Sequence, residues 1–80
     1  WVEAYDHWQE LLARTNSKSE KSKLEYNLAI ASEMLGNFND AGQWATKSYQ
    51  TQYRKQTEAY LYQLKNRKQA IEAFDKYIPD

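Results

Sequence analysis

The sequence predicts an all-α fold of about four helices, and three observations carry that prediction. Apolar residues recur at helical spacing along most of the chain, from Trp1–Tyr5–Trp8–Leu12 onward. Sheet-forming material is scarce: Val2 is the only valine, and no run of β-branched residues alternates with polar ones. Finally, Gly36 stands directly after one periodic stretch, where a helix ends and the chain folds back.

The first helix is expected from Val2 to about Ala13. Trp1, Tyr5, Trp8 and Leu12, with Ala4 and Leu11 beside them, make one apolar face. Thr15-Asn16-Ser17 reads as a loop. Ser17-Lys18-Ser19-Glu20 offers a capping box, with Ser19 as the alternative cap. The second helix carries Leu24, Leu28, Ala31 and Leu35 on one face, flanked by Ile30 and Met34, and stops at Gly36. Asn39 is the expected N-cap of the third helix, and Asp40 suits its positive end. That helix presents Ala41, Trp44, Ala45, Ser48 and Tyr49, whose small members allow a close neighbour.

No Gly or Pro separates Tyr49 from Tyr60, and Thr51 is the best cap available for a fourth helix. Tyr53, Tyr60, Leu64, Arg67, Ile71, Phe74 and Ile78 then share one stripe. One long helix over 52–78 is favoured, and the rival reading breaks it at Lys65–Lys68. Pro79 ends it in either case.

Eighty residues make one small domain or a piece of a larger one. Such a chain holds about 4–12 kcal/mol of stability at the usual value per residue. Aliphatic residues are few, but three Trp, seven Tyr and two Phe supply large buried area for each position used. Opening on Trp1 without an initiator Met, the chain is expected to be an excised or truncated segment. No apolar run reaches membrane-spanning length and no signal peptide is present. The absence of Cys excludes disulfides and thiolate metal sites.

Net charge is zero, which removes the simplest argument for nucleic acid or an anionic membrane as partner. The charge is unevenly placed. From Gln43 to Ile71 six basic residues (Lys47, Arg54, Lys55, Lys65, Arg67, Lys68) face Glu58 alone, whereas the first thirteen residues carry Glu3, Asp6 and Glu10 and no Lys or Arg.

Tyr26-Asn27-Leu28-Ala29, followed by Gly36, Phe38 and Ala41, resembles the tetratricopeptide repeat, a helix–turn–helix unit of about 34 residues. The resemblance covers roughly residues 1–50. It implies that 1–14 form the second helix of a preceding repeat, that 18–50 form one complete repeat, and that 52–78 form a terminal capping helix. A right-handed superhelical stack of antiparallel hairpins is the implied architecture. Ala4 lies 37 residues before Ala41, slightly more than the usual period. Ala45 stands where the family has an aromatic, Ser48 where it has Ala, and the closing Pro near Tyr53 is absent. The run from Tyr26 to Tyr49 is also similar to tetratricopeptide-like envelope proteins of Bacteroides-type bacteria, which would place the parent protein in the cell envelope.

In such arrays the first helix of each repeat lines a concave groove. The resemblance therefore implies Tyr26, Asn27, Ile30, Glu33 and Met34 as candidate partner-binding residues, with Asn27 on a peptide backbone. The bland alternative is that the terminal helix packs over this face and Tyr26 is core. A second candidate is a docking face of Trp1, Tyr5 and Trp8, left partly uncovered because no helix precedes the first.

Catalytic chemistry finds little support. His7 is the single histidine, and with Glu3 and Asp6 it makes a surface helix pair sooner than a metal site. The serines sit in caps and along helices away from it. Carboxylates are spread along exposed faces. Gly36-Asn37 is a helix stop and not a phosphate loop. We assign no catalytic, cofactor or metal residue. The expected function is a protein-interaction scaffold that is part of a larger protein and binds a protein, a peptide or the missing part of its own parent chain, with self-association as a further outcome. The alternative is a structural cap without a ligand. A third reading is single-stranded nucleic-acid binding through Tyr53, Arg54, Lys55, Tyr60, Tyr62, Lys65, Arg67 and Lys68.

Overall fold

The computed structural model describes the backbone of residues 1–75 and the side chains of residues 1–67. Within them the chain is all-helical, with α1 (Val2–Arg14), α2 (Lys18–Met34), α3 (Phe38–Thr51) and α4 (Lys55–Asp75) and no strand. The radius of gyration is 14.1 Å, against the 11–12 Å or so expected of a compact chain of this length. The longest dimension is 50 Å, so the molecule is elongated and few residues are fully enclosed.

α2 and α3 form the tightest pair. Ala29, Ala41 and Ala45 are fully buried where these helices meet, and side chains this small let two helices approach closely. The expectation of a small-residue contact holds here. The expected face of α2 is only partly right, since Leu35 and Met34 are exposed while Ser22, Glu25, Leu28, Ala29, Ala31 and Ser32 are buried. A helix with neighbours on several sides buries more than one stripe, and α2 touches every other helix of the molecule.

The turn between them is a complete Schellman motif. Gly36 adopts φ +84°, its N–H donates to Glu33 O at 2.9 Å, and Asn37 N–H donates to Ser32 O at 2.8 Å. The chain then enters α3 at once. Asn37 is therefore the N-cap, two residues before the predicted Asn39, because the motif consumes no further residues before the next helix.

At the start of α2, Ser17 is the cap and its hydroxyl accepts from Glu20 N–H. The Glu20 carboxylate takes the Thr15 hydroxyl at 3.0 Å, which ties the α1–α2 loop to the first turn of α2.

The third loop corrects a boundary. α3 runs through Thr51, whose hydroxyl donates to Glu25 Oε1 at 2.6 Å instead of capping a fourth helix. The break falls at Gln52, which is extended (φ −159°, ψ 125°), and α4 begins at Lys55. Tyr53 thus stands outside the helix, and Thr57 takes the first place on the buried stripe before Tyr60 and Leu64. α4 continues without interruption past Lys65–Lys68, so the two-helix reading of this region is not what the chain adopts. The side chains of Ile71 and Phe74, together with Ile78 and Pro79, lie outside the described residues.

Candidate functional site

The face of α2 expected to line a groove is occupied from within the chain. Tyr60 of α4 packs edge-to-face on Tyr26 with ring centroids 5.6 Å apart. Its hydroxyl reaches Glu33 Oε2 at 3.1 Å and the Ala29 carbonyl at 3.3 Å. Arg67, about two turns further along α4, closes an ion pair with Glu33. Ile30 packs against the same core cluster. Burial, and after it the neighbouring Glu33 carboxylate, pushes the Tyr60 phenol well above its ordinary pKa.

Tyr26 and Glu33 therefore contact α4, and with Ile30 they are left half-buried beside it. The last helix thus lies against part of the face expected to line a groove. The two remaining candidates separate. Asn27 lines a recess with Leu11, Arg14 and Leu24 beside α1, and Met34 is 54% exposed near the end of α2.

A polar knot joins α2, α3 and α4 at the other end of the hairpin. Ser48 Oγ donates to the Ser22 carbonyl at 2.7 Å, and Ser22 Oγ lies within reach of the carbonyls of Ser48 and Gln52, at 3.0 and 3.1 Å. Thr57 Oγ1 lies 3.4 Å from Ser48 Oγ. Ser22, Ser48 and Thr57 are fully buried, and no buried side-chain polar atom among the described residues lacks a partner. Satisfied in this way, three hydroxyls fix the register of three helices. The sequence offered one signal for the knot, Ser48 in a position where the resembling family has Ala. Ser22 and Thr57 carried none.

α1 differs from the other helices in having no buried residue. Ala4, Tyr5, Trp8 and Leu12 are half-buried along one side. The Tyr5 hydroxyl accepts from Trp44 Nε1 at 3.1 Å, and the two rings meet edge-on at 6.5 Å. Of the predicted docking face, Tyr5 is thus engaged with α3, Trp8 is half-buried, and Trp1 is 57% exposed beside Val2 at 58%. Glu3, Asp6 and Glu10 form an exposed ridge on the opposite side of the helix.

A groove of about 570 Å³ runs between α3 and α4, floored by Phe38, Gly42, Leu61 and Leu64 and edged by Lys47 and Lys65. A second recess of about 230 Å³ continues it past Leu61 and Lys65 to Tyr49 and Tyr62. Lys47 is held 4.7 Å from the centre of the Trp44 ring.

The basic aromatic residues do not form one track for nucleic-acid bases. Tyr60 is in the core, Tyr53 donates to Glu58 Oε2 at 2.5 Å, and Arg67 is paired with Glu33. Among the described side chains of α4, Tyr62, at 64% exposure, is the one ring that stands open, near Lys65. Among the described residues no group of three or more His, Asp or Glu side chains could hold a metal ion, and no helix is long and apolar enough to cross a membrane.

One family description matches the chain, over residues 1–73, and it is a domain of unknown function, DUF6340. No curated protein and no solved structure matches.

Proposed function

The chain belongs to the DUF6340 family, and from that footing we propose that it is a protein-interaction module of tetratricopeptide-like architecture that works without a catalytic step. The alanine contact of α2 with α3, the Schellman turn at Gly36 and the flanking of one hairpin by two single helices support a stacked, right-handed superhelical arrangement. The observation that carries the reading is α1. It has an apolar side leaning on α2 and α3, buries no residue fully, and leaves Trp1, Val2 and Leu11 exposed. The large exposed apolar side chains Trp1 and Val2 at the start of this weakly embedded helix favour a protein surface as their cover. Shape is the mechanism: a partner helix laid along α1 removes that area from water.

The second reading is a structural cap, and α4 favours it. Its Tyr60 and Arg67 close the α2 face that would otherwise receive a peptide.

A photo-crosslinking residue at Val2, compared with one at exposed Lys18, separates the two in cells that make the protein. Discrete protein adducts at Val2 and not at Lys18 support docking through α1. An equal and empty pattern at both positions removes docking and leaves the cap.

A further inference from the structure

A recess of about 460 Å³ opens where the end of α1 meets the first half of α2. Leu11 of α1 and Leu24 of α2 give it an apolar floor, and Arg14, Thr15, Glu20, Lys23 and Asn27 complete its walls. It lies at the other end of α1 from Trp1 and Val2 and shares no residue with them.

The polar groups of the recess are not equally engaged. Arg14 and Lys23 are exposed, come from two different helices, and have no carboxylate within ion-pair distance among the described residues. Asn27 is half-buried, and its amide makes no hydrogen bond among them. Glu20 is the one acid on the walls, and it is already engaged. Its carboxylate accepts from the Thr15 hydroxyl at 3.0 Å and stands in the first turn of α2, at the positive end of that helix. What remains open is a guanidinium, an ammonium and an amide, all able to donate, around two leucines. Such a set attracts a carboxylate carried close to an aliphatic side chain, whereas a cation would meet Arg14 and Lys23.

The spacing of these groups selects the backbone of the ligand. Leu11 and Arg14 lie one turn apart on α1, and so do Leu24 and Asn27, and Lys23 and Asn27, on α2. A helix laid between them presents its own side chains at the same repeat of about 5 Å. Its backbone is also bonded within itself, whereas an extended segment would meet helices here and no sheet edge to pair with.

We infer that the α1–α2 recess binds an acidic amphipathic helix of a partner protein. An aliphatic side chain of that helix rests on Leu11 and Leu24, and a Glu or Asp one turn away is held by Arg14, Lys23 and the Asn27 amide. The inference rests on the reading of the chain as an interaction module and gives that module a second surface, separate from Trp1 and Val2.

Selection of helical peptides on the immobilised chain tests it, with one leucine fixed and the positions one turn to either side randomised. Asp and Glu are expected to be enriched at those positions. Fluorescence anisotropy then measures the enriched peptide. Its affinity should fall roughly tenfold for R14Q with K23Q, the size of two exposed charge contacts, and should weaken as salt is added. K23E should prefer the same peptide with Lys in place of its acids. K55E, which reverses an exposed lysine at the start of α4, should leave affinity unchanged. Enrichment of neutral or basic neighbours overturns the inference, and so does a selection that enriches nothing. Binding indifferent to R14Q with K23Q, or weakened as much by K55E, overturns it as well. Adducts at Val2 test the docking role of α1 separately, so that role survives any of these failures.

Discussion

α1 and α4 flank the same hairpin, yet only α4 is locked into it. α4 places Thr57, Tyr60 and Leu64 in the core, adds hydroxyl contacts to Glu33 and Ala29, and closes the Arg67–Glu33 pair. α1 leans on its neighbours through half-buried Tyr5, Trp8 and Leu12 and encloses none of them. α1 is the more strongly amphipathic of the two yet the less enclosed, so amphipathicity does not decide how firmly a helix is held. What decides it is whether side chains from the neighbours close over the apolar side. Over Tyr60 they do. Over Trp1 and Trp8 they do so only in part, and the uncovered remainder is the surface that the proposed docking would use.

The comparison breaks most sharply under truncation. Tyr60→Ala removes a core ring and leaves Glu33 without its phenol partner, an expected loss of about 3–5 kcal/mol. Trp8→Ala removes a larger ring from a half-covered place and should cost about 1–2 kcal/mol. Urea unfolding of both variants checks the ordering, and equal losses would mean that α1 is as embedded as α4.

The two glycines give a smaller and opposite pair of effects. Gly36→Ala forces a side chain into the left-handed region at φ +84° and is expected to cost about 1–2 kcal/mol. Gly42 lies inside α3, where an added Cβ would meet Leu64 Cδ2 at an ordinary 3.9 Å. Gly42→Ala should therefore raise stability by about 0.5–1 kcal/mol through helix propensity. Thermal melts of the two variants should shift in opposite directions.

The smallest effect lies at alkaline pH. The unfolded Tyr60 phenol ionises near 10.0, whereas in the fold burial and Glu33 keep it protonated to higher pH. The folded state thus binds more protons above pH 10, and stability, intact below that value, declines as pH rises beyond it. Tyr53 is shifted in the same direction by its hydrogen bond to Glu58, but it is exposed and adds little. Tyr60→Phe should flatten the decline when unfolding at neutral and alkaline pH is compared. An identical slope in both proteins would show that Tyr60 is not the group responsible.

Much of this architecture is legible in the sequence, because helix period and stop signals are local. Gly36 marks the turn, Ser17 the cap and Ala29 with Ala41 the close contact. Asn39 misleads because Asn is a good cap at either position, and only the Schellman bonds show that α3 has already begun at Phe38. Thr51 misleads in a similar way, since its hydroxyl is drawn to Glu25, distant in sequence. The candidate site was less legible for the same physical reason. Whether Tyr26, Ile30 and Glu33 form a groove or a seam depends on where α4 lies, and their spacing along α2 is the same in both cases.

The central claim is that α1 is the weakly held element of the molecule and therefore the one open to a partner. Amide hydrogen exchange of the dilute protein under native conditions tests it most directly. The amides of α1 should exchange through openings of distinctly lower free energy than those of α2, α3 and the Thr57–Leu64 segment of α4. Protection in α1 equal to that of the hairpin would contradict it.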